Sequence, residues 1–160
     1  MDFWRGDWVL GSAIMTISAQ QFQSLALSRL TRVLQEPAFK TTSGPGYLLT
    51  FRSPRVTITV SWVIADGDVE VRFTRPDEEP ISLLLYLRAI RSPLAEPYAR
   101  AIPASAEEVE SVLSLIATAL AADARPLVEG SPRAFEEMMS VRWWNAEGAL
   151  DVGTGRPGPE

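Results

Sequence analysis

Carboxylates are the only side chains in this sequence that are equipped for acid–base chemistry near neutral pH. The chain of 160 residues contains no histidine and no cysteine. Their absence excludes Ser-His-Asp and Cys-His arrangements, HExxH helices and zinc–thiolate sites. An enzyme made from the remaining residues would resemble a two-carboxylate glycosidase or an oxygen-ligated metal site.

Acidic residues cluster in four places, and local structure accounts for most of these clusters. The Asp66 cluster lacks the twelve-residue frame of a calcium loop, and its Asp-Gly dipeptide is a hairpin signal. Glutamates that open a helix are stabilised by its dipole. "PDEEP" is the least explained cluster, although a solvated loop also accounts for it. The clusters are Asp66/Asp68/Glu70, Asp77/Glu78/Glu79, Glu107/Glu108/Glu110 and Glu136/Glu137.

Neither a phosphate-binding glycine motif nor a G-x-S-x-G elbow is present. The sequence therefore predicts no catalytic residue, no cofactor and no metal site. A carboxylate-dependent enzyme is only the third functional hypothesis.

Tryptophan is unusually frequent in this sequence, with five residues in the chain. Adjacent helical residues point about 100° apart, so Trp143 and Trp144 cannot share one narrow stripe. Trp143 fits the buried stripe, whereas Trp144 lies off its edge, where either a partner or another part of the chain covers it. Tryptophan and arginine are enriched in interface hot spots. We therefore predict a partner-binding surface made of Trp144, Arg142, Glu136, Glu137, Asp77, Glu78 and Glu79.

The net charge of −5 is unevenly distributed along the chain. Residues 1–75 hold eight basic and six acidic side chains, and residues 76–160 hold seven and fourteen. An acidic half argues against nucleic-acid binding and is compatible with a basic protein partner, or simply with solubility. No apolar run approaches the roughly 20 residues of a membrane span, and no secretory signal is recognisable. We expect a cytoplasmic protein without membrane contact.

Helix and strand signals alternate along the chain. Ser18 and Gln21 form a capping box that predicts a helix ending near Glu36. Strands are expected at Tyr47–Arg52, Val56–Ile64 and Val69–Arg75, with "KTTSGPG" as a loop before them. A two-residue turn at Asp66 and Gly67 would pair Trp62 with Val71 and Val60 with Phe73, which gives the hairpin one apolar face.

The second half is predicted to be mainly helical. Residues 81–91 fit a helix best, although a fourth strand fits almost as well. Ser105 and Glu108 predict a capped helix that ends at Arg125 and Pro126, and Ser131 begins a last helix that runs to about Trp144. Residues 1–14 are a possible extension that packs as a strand or mediates association, and the Gly- and Pro-rich tail at 151–160 is predicted to be disordered.

These patterns predict one α+β domain over residues 1–150. It has an N-terminal helix, an antiparallel meander of three or four strands, and two or three C-terminal helices on one face. In size, acidity and element order the chain resembles bacterial immunity proteins. The resemblance implies a cognate, possibly basic, toxin domain as partner, with inhibition by occlusion. The alternative is a structural or assembly subunit, of a phage or a secretion apparatus, that self-associates.

Overall fold

A five-stranded antiparallel sheet forms the centre of the fold. The computed structural model describes residues 17–35, 39–63 and 67–138. The strands follow one another as a meander, in the order β1-β2-β3-β4-β5. They are β1 (Lys40–Ser43), β2 (Leu48–Arg52), β3 (Thr57–Val63), β4 (Asp68–Thr74) and β5 (Ile81–Ser82).

Six helices are present in this part of the chain. They are α1 (Ala19–Leu30), α2 (Leu83–Ala89), α3 (Ala95–Ala99), α4 (Ala106–Ala121), α5 (Arg125–Val128) and α6 (132–138). The predicted α+β class is confirmed, with two more short strands than the three that the sequence marked clearly. In none of the described ranges does a helix combine the length and apolarity of a bilayer span.

Strict alternation along the strands gives the sheet one apolar face. Leu49 and Phe51 on β2 lie beside Val60 and Ile58 on β3, and all four side chains are buried. Strand β4 continues the face with alternating buried residues. Helix α1 packs on β2 and on α4, and α2 packs on β4, so this face is covered by helices. Side chains on the opposite face are half-buried or exposed.

The β3–β4 pairing keeps the predicted apolar face but not the predicted register. Trp62 lies opposite Val69 and Val60 opposite Val71, two residues away from the expected partners. The pairing of Val63 with Asp68 leaves four residues between the strands, so the two-residue turn was wrong. A shift of two residues preserves which face each side chain occupies, because the strand period is two. Asp66 lies outside the described residues.

The edge strands were missed or only partly foreseen. Lys40–Ser43, expected in a loop, pairs with Leu49–Arg52, and its four residues are all exposed. A polar strand with no buried side carries no alternation to read. Residues 81–91 contain both predicted alternatives: Ile81 and Ser82 form the short strand β5, and Ser82 then caps α2 by accepting from Leu85 N at 3.3 Å.

The predicted helix starts at Ser18 and Ser105 are confirmed, while the ends of these two helices were placed too far along the chain. The Ser18 capping box has both of its bonds, at 2.8 and 3.1 Å. Ser105 caps α4, although the Glu108 carboxylate accepts from Ala104 N and not from Ser105 N. Helix α1 ends at Leu30, where Val33 N and Leu34 N bond three or four residues back and tighten the chain into turns. Residues from Arg125 form a separate short helix.

An aromatic cluster joins α1 to one end of the sheet. Phe22, Tyr47 and Trp62 have ring centroids 5.4–5.9 Å apart. The Tyr47 hydroxyl donates to Ile17 O at 3.0 Å. Gln23 Nε2 lies 2.6–3.0 Å from the carbonyl oxygens of Gly44, Gly46 and Leu48. One amide therefore satisfies several acceptors of the β1–β2 loop.

Replacing Gln23 with methionine should destabilise the protein by about 1–3 kcal/mol, because part-buried carbonyl groups lose their donor while side-chain volume is kept. The exposed Gln20 on the same helix supplies the control. Gln20→Met should change the free energy of unfolding by less than about 0.5 kcal/mol. Urea denaturation measures both. Equal effects of the two variants would contradict the role of Gln23.

Tyr98 anchors α3 to the sheet through a buried hydrogen bond. Its hydroxyl donates to Val69 O at 2.6 Å. Burial raises the pKa of the Tyr98 phenol well above its ordinary value of 10.0, with the nearby Glu70 and Asp68 charges acting in the same direction. Burial also raises the pKa of Tyr86. Both phenols therefore keep their protons in the folded state after unfolded tyrosines have lost theirs.

A raised folded-state pKa contributes stability that is present below pH 10 and is lost as the pH rises. Above pH 10 we expect the Tyr98 phenol to make the free energy of unfolding fall by about 1.4 kcal/mol per pH unit, with Tyr86 acting in the same direction. Tyr98→Phe should lower stability at pH 7 by about 1 kcal/mol and reduce the alkaline slope. Denaturation between pH 7 and 11.5 tests this, and an unchanged slope in the variant would refute it.

Candidate functional site

Three loops meet at the end of the sheet opposite the aromatic cluster and enclose a cleft of about 490 Å³. They are the β2–β3 turn, the β4–β5 loop and the α5–α6 junction. We call this space the end cleft. Its lining residues are Pro54, Arg55, Arg75, Pro76, Glu129, Gly130, Ser131 and Pro132.

Local hydrogen bonds fix each of these loops. Ser53 closes the β2–β3 turn, since its hydroxyl and backbone amide both bond to Val56. In the β4–β5 loop Glu78 N donates to Arg75 O at 3.0 Å, and Asp77 adopts a φ of 63° that aspartate tolerates better than most residues. The α5–α6 junction turns at Gly130, whose φ is 69°. The cleft is thus bordered by short, internally bonded turns.

Arg75 connects the β4–β5 loop to the last helix. Its guanidinium carbon lies 5.3 Å from the centroid of the Phe135 ring, a cation–π arrangement. One of its nitrogens lies 3.4 Å from Glu78 Oε2. The other carboxylate oxygen, Oε1, is buried and has no hydrogen-bond partner in the part of the chain that the structure describes. Arg75 therefore contacts both the β4–β5 loop and α6 and links the two.

Both arginines of the end cleft have donors to spare. Arg55 is exposed, and the Arg75 side chain is 24% exposed. Within residues 17–35, 39–63 and 67–138, neither guanidinium forms a hydrogen bond that meets geometric criteria, and only Arg75 has an ion pair. Glu129 contributes a negative charge to the lining, but Arg125 Nε donates to it at 3.2 Å. The cleft interior is therefore weakly positive.

The predicted acidic residues lie on two segments that border this cleft: Asp77 and Glu78 in the β4–β5 loop, and Glu136 and Glu137 on α6, whose first residue Pro132 lines it. Asp77 and Glu136 are exposed and form no ion pair with another described residue. Glu78 is held by Arg75, and Glu137 pairs with Arg133 at 3.4 Å through largely exposed side chains. Such an exposed pair contributes little to stability.

The other three predicted partner-binding residues are Glu79, Arg142 and Trp144. Glu79 is exposed in the same loop as Asp77, whereas Arg142 and Trp144 lie outside the described residues. The predicted partner-binding surface, including its aromatic anchor, therefore stays a prediction.

A second polar group surrounds Tyr86 on the helical side of the molecule. Burial raises the pKa of the Tyr86 phenol, and the Glu137 and Asp123 carboxylates raise it further. Asp123 accepts a short hydrogen bond from the buried Ser92 hydroxyl, which also accepts from Leu94 N at 3.1 Å. Among the described residues, no set of three or more acidic side chains is placed to hold a metal ion.

Sequence reasoning missed the basic interior of the cleft. Arg55 and Arg75 each adjoin a proline in a loop, as "PR" and "RP". Proline restricts the backbone, so an adjacent arginine in a turn is presented from a stiff position. This pairing of arginine with proline was the available signal, but only the fold shows that the loops meet.

Comparison of this chain with protein-family models, characterised proteins and solved structures gives no match.

The close approach of the β2–β3 turn to Gly130 is testable. A Cβ atom at Gly130 would lie 2.8 Å from Arg55 Cβ and 3.3 Å from Arg55 O, whereas one at Gly46 meets nothing within 4 Å. Both glycines have positive φ, so Gly46→Ala should cost only the conformational penalty of about 1–2 kcal/mol. Gly130→Ala should cost about 1–3 kcal/mol more through overpacking.

Thermal or urea denaturation of the two alanine variants provides the comparison. If Gly130→Ala is no more destabilising than Gly46→Ala, the two loops do not pack as described. The volume of the end cleft is then larger than about 490 Å³.

Proposed function

We propose that this chain is a non-catalytic protein-binding domain whose binding surface is the end cleft together with its acidic rim, Asp77 and Glu136. The single observation that carries this proposal is the link made by Arg75. By pairing with Glu78 and lying over Phe135, it joins two acidic segments that are far apart in sequence into one surface. Preorganised surfaces bind at lower entropic cost than surfaces that must be ordered.

The charge distribution favours a partner with a basic surface. Asp77 and Glu136 have no intramolecular cation to neutralise them among the described residues, and the half of the chain that contains them is acidic. Unpaired rim charges act mainly on the association rate, by steering an oppositely charged partner toward the surface. The paired carboxylates of Glu78 and Glu137 contribute less to such steering.

The specific role that we propose is immunity to a bacterial toxin, exercised in the cytoplasm. The chain has the size, acidity and helix-sheet-helix order on which the resemblance to immunity proteins rests. In this role the end cleft and its acidic rim cover the active site of a basic toxin domain and inhibit the toxin by occlusion.

One observation favours the second candidate, a self-associating structural or assembly subunit. The edge strand β1 is exposed at all four residues, and β2 is its only partner among the described strands. An uncovered edge presents backbone donors and acceptors to another strand. Lys40 on that edge is a charge of the kind that limits such pairing, so we rank this candidate second.

Co-expression with the products of neighbouring genes tests the immunity proposal. We expect a stable complex with one basic product on gel filtration, and loss of that product's toxicity. Light scattering of the chain alone should give a monomer. A concentration-dependent oligomer, with no complex formed, would instead support the assembly candidate.

The rim residues are tested by charge-neutralising variants in that complex. Asp77→Asn/Glu136→Gln should lower the association rate constant about 3- to 10-fold at low ionic strength, with a smaller effect at high salt. The control Glu107→Gln/Glu108→Gln removes the same net charge from exposed positions in the first turn of α4, where neither carboxylate forms an ion pair with a described residue. Its effect should be below about twofold. Equal effects of both pairs would mean that only net charge matters.

A further inference from the structure

We infer that the end cleft receives a carboxylate side chain of the protein partner and holds it between Arg55 and Arg75. This inference rests on the proposed function, because it takes the ligand to be part of a protein. It adds the chemistry of the central contact: an aspartate or glutamate of the partner enters the cleft, while basic residues around it face Asp77 and Glu136.

The cleft offers donors that nothing in the described chain uses. Each guanidinium carries five N–H groups in a planar fork that matches a carboxylate. Neither the Arg55 nor the Arg75 guanidinium donates a hydrogen bond to another described residue, and the only side-chain contact of this kind is the ion pair of Arg75 with Glu78. Ser131 adds a hydroxyl group whose oxygen already accepts from Ala134 N at 3.4 Å, which leaves its proton to be donated. Three donor groups therefore line one cavity.

Glu78, in the β4–β5 loop beside the cleft, uses only part of the donor capacity of Arg75. Its Oε2 atom lies 3.4 Å from Arg75, longer than the usual 2.7–2.9 Å of a charge-assisted bond. Its Oε1 atom has no hydrogen-bond partner among the described residues. Arg55, on the other side of the cleft, has no carboxylate partner at all among the described residues. A carboxylate from outside can pair with Arg55 without displacing Glu78 from Arg75.

Charge balance favours a carboxylate over a phosphate group. The two arginines contribute two positive charges to the lining. The negative charge of Glu129 partly offsets them, and the Glu78 carboxylate lies against Arg75. Asp77 and Glu136 add negative potential at the rim. A dianionic phosphate is repelled by this surrounding, whereas a monoanionic carboxylate flanked by cations matches it. The volume of about 490 Å³ also fits a side chain with adjoining backbone better than a bare ion.

Short peptides test this inference on the isolated full chain. The probes are the capped peptides Lys-Glu-Lys and Lys-Gln-Lys, with acetate and inorganic phosphate as further arms. Backbone amide shifts in the isotope-labelled protein report where each probe binds. We expect saturable shifts with Lys-Glu-Lys at residues 55, 75, 77, 129–131 and 133, and at least tenfold weaker binding of Lys-Gln-Lys.

Variants identify the residues responsible. Arg55→Gln and Arg75→Gln should each weaken Lys-Glu-Lys binding at least fivefold. The control Arg52→Gln, which removes an exposed arginine from the sheet, should leave it unchanged. Because Arg75 also contacts Phe135, Arg55→Gln is the cleaner variant, and the amide spectrum of each variant shows whether its fold is intact.

Three results would overturn the inference: equal responses to the two peptides, binding that does not depend on Arg55, or tighter binding of phosphate than of the acidic peptide. The peptide assay needs no partner protein, so its failure is distinct from failure of the proposed function. A complex with a neighbouring gene product whose affinity is unchanged by Arg55→Gln would refute the inference but not the proposed function. Peptide binding without any such complex would refute only the proposed function.

Discussion

Burial of one face of the five-stranded sheet is the interaction on which the rest of this structure depends. Alternating residues of β2, β3 and β4 are buried, among them Phe51, Ile58 and Phe73. Each such side chain contributes roughly 1.5–3 kcal/mol when it leaves water. This face has to be covered, so α1, α2 and α4 pack on that side of the molecule. The helix surfaces that cover it are not free to bind a partner. Surface that can serve a partner is left at the ends of the strands, at the free edge and on the opposite face.

The two ends of the sheet are used differently. At one end, Phe22, Tyr47 and Trp62 pack together, and Gln23 satisfies the backbone of the adjoining loop, so polar and apolar groups are both internally paired. At the other end, turns stiffened by proline meet around Arg55 and Arg75, and among the described residues the Arg55 guanidinium and the Glu78 Oε1 atom have no partner. Unsatisfied polar groups cost free energy in the isolated protein. A partner that satisfies them recovers that cost, which is why this end is the stronger candidate for function.

Periodicity and capping predicted the parts of the fold that are encoded locally. Ser18 and Ser105 begin helices as expected, and the alternation around Val60 and Val71 identified the buried face. The hairpin register was shifted because Asp-Gly was read as the whole turn, although a four-residue connection also accommodates a glycine at positive φ. Strand β1 gave no signal because every one of its residues is exposed. Arg55 and Arg75 were missed since only the meander brings their loops together, and contacts between distant segments have no local signature.

The central claim is that the partner contacts the end cleft and its rim. Hydrogen–deuterium exchange of the chain, free and in complex with the partner found by co-expression, measures this directly. The account predicts added protection at residues 53–56, 75–80 and 129–138, with little change along α1 and α4. Protection concentrated on the α1–α4 surface, on β1 or on the polar face of the sheet, with none around Arg55 and Arg75, would contradict it.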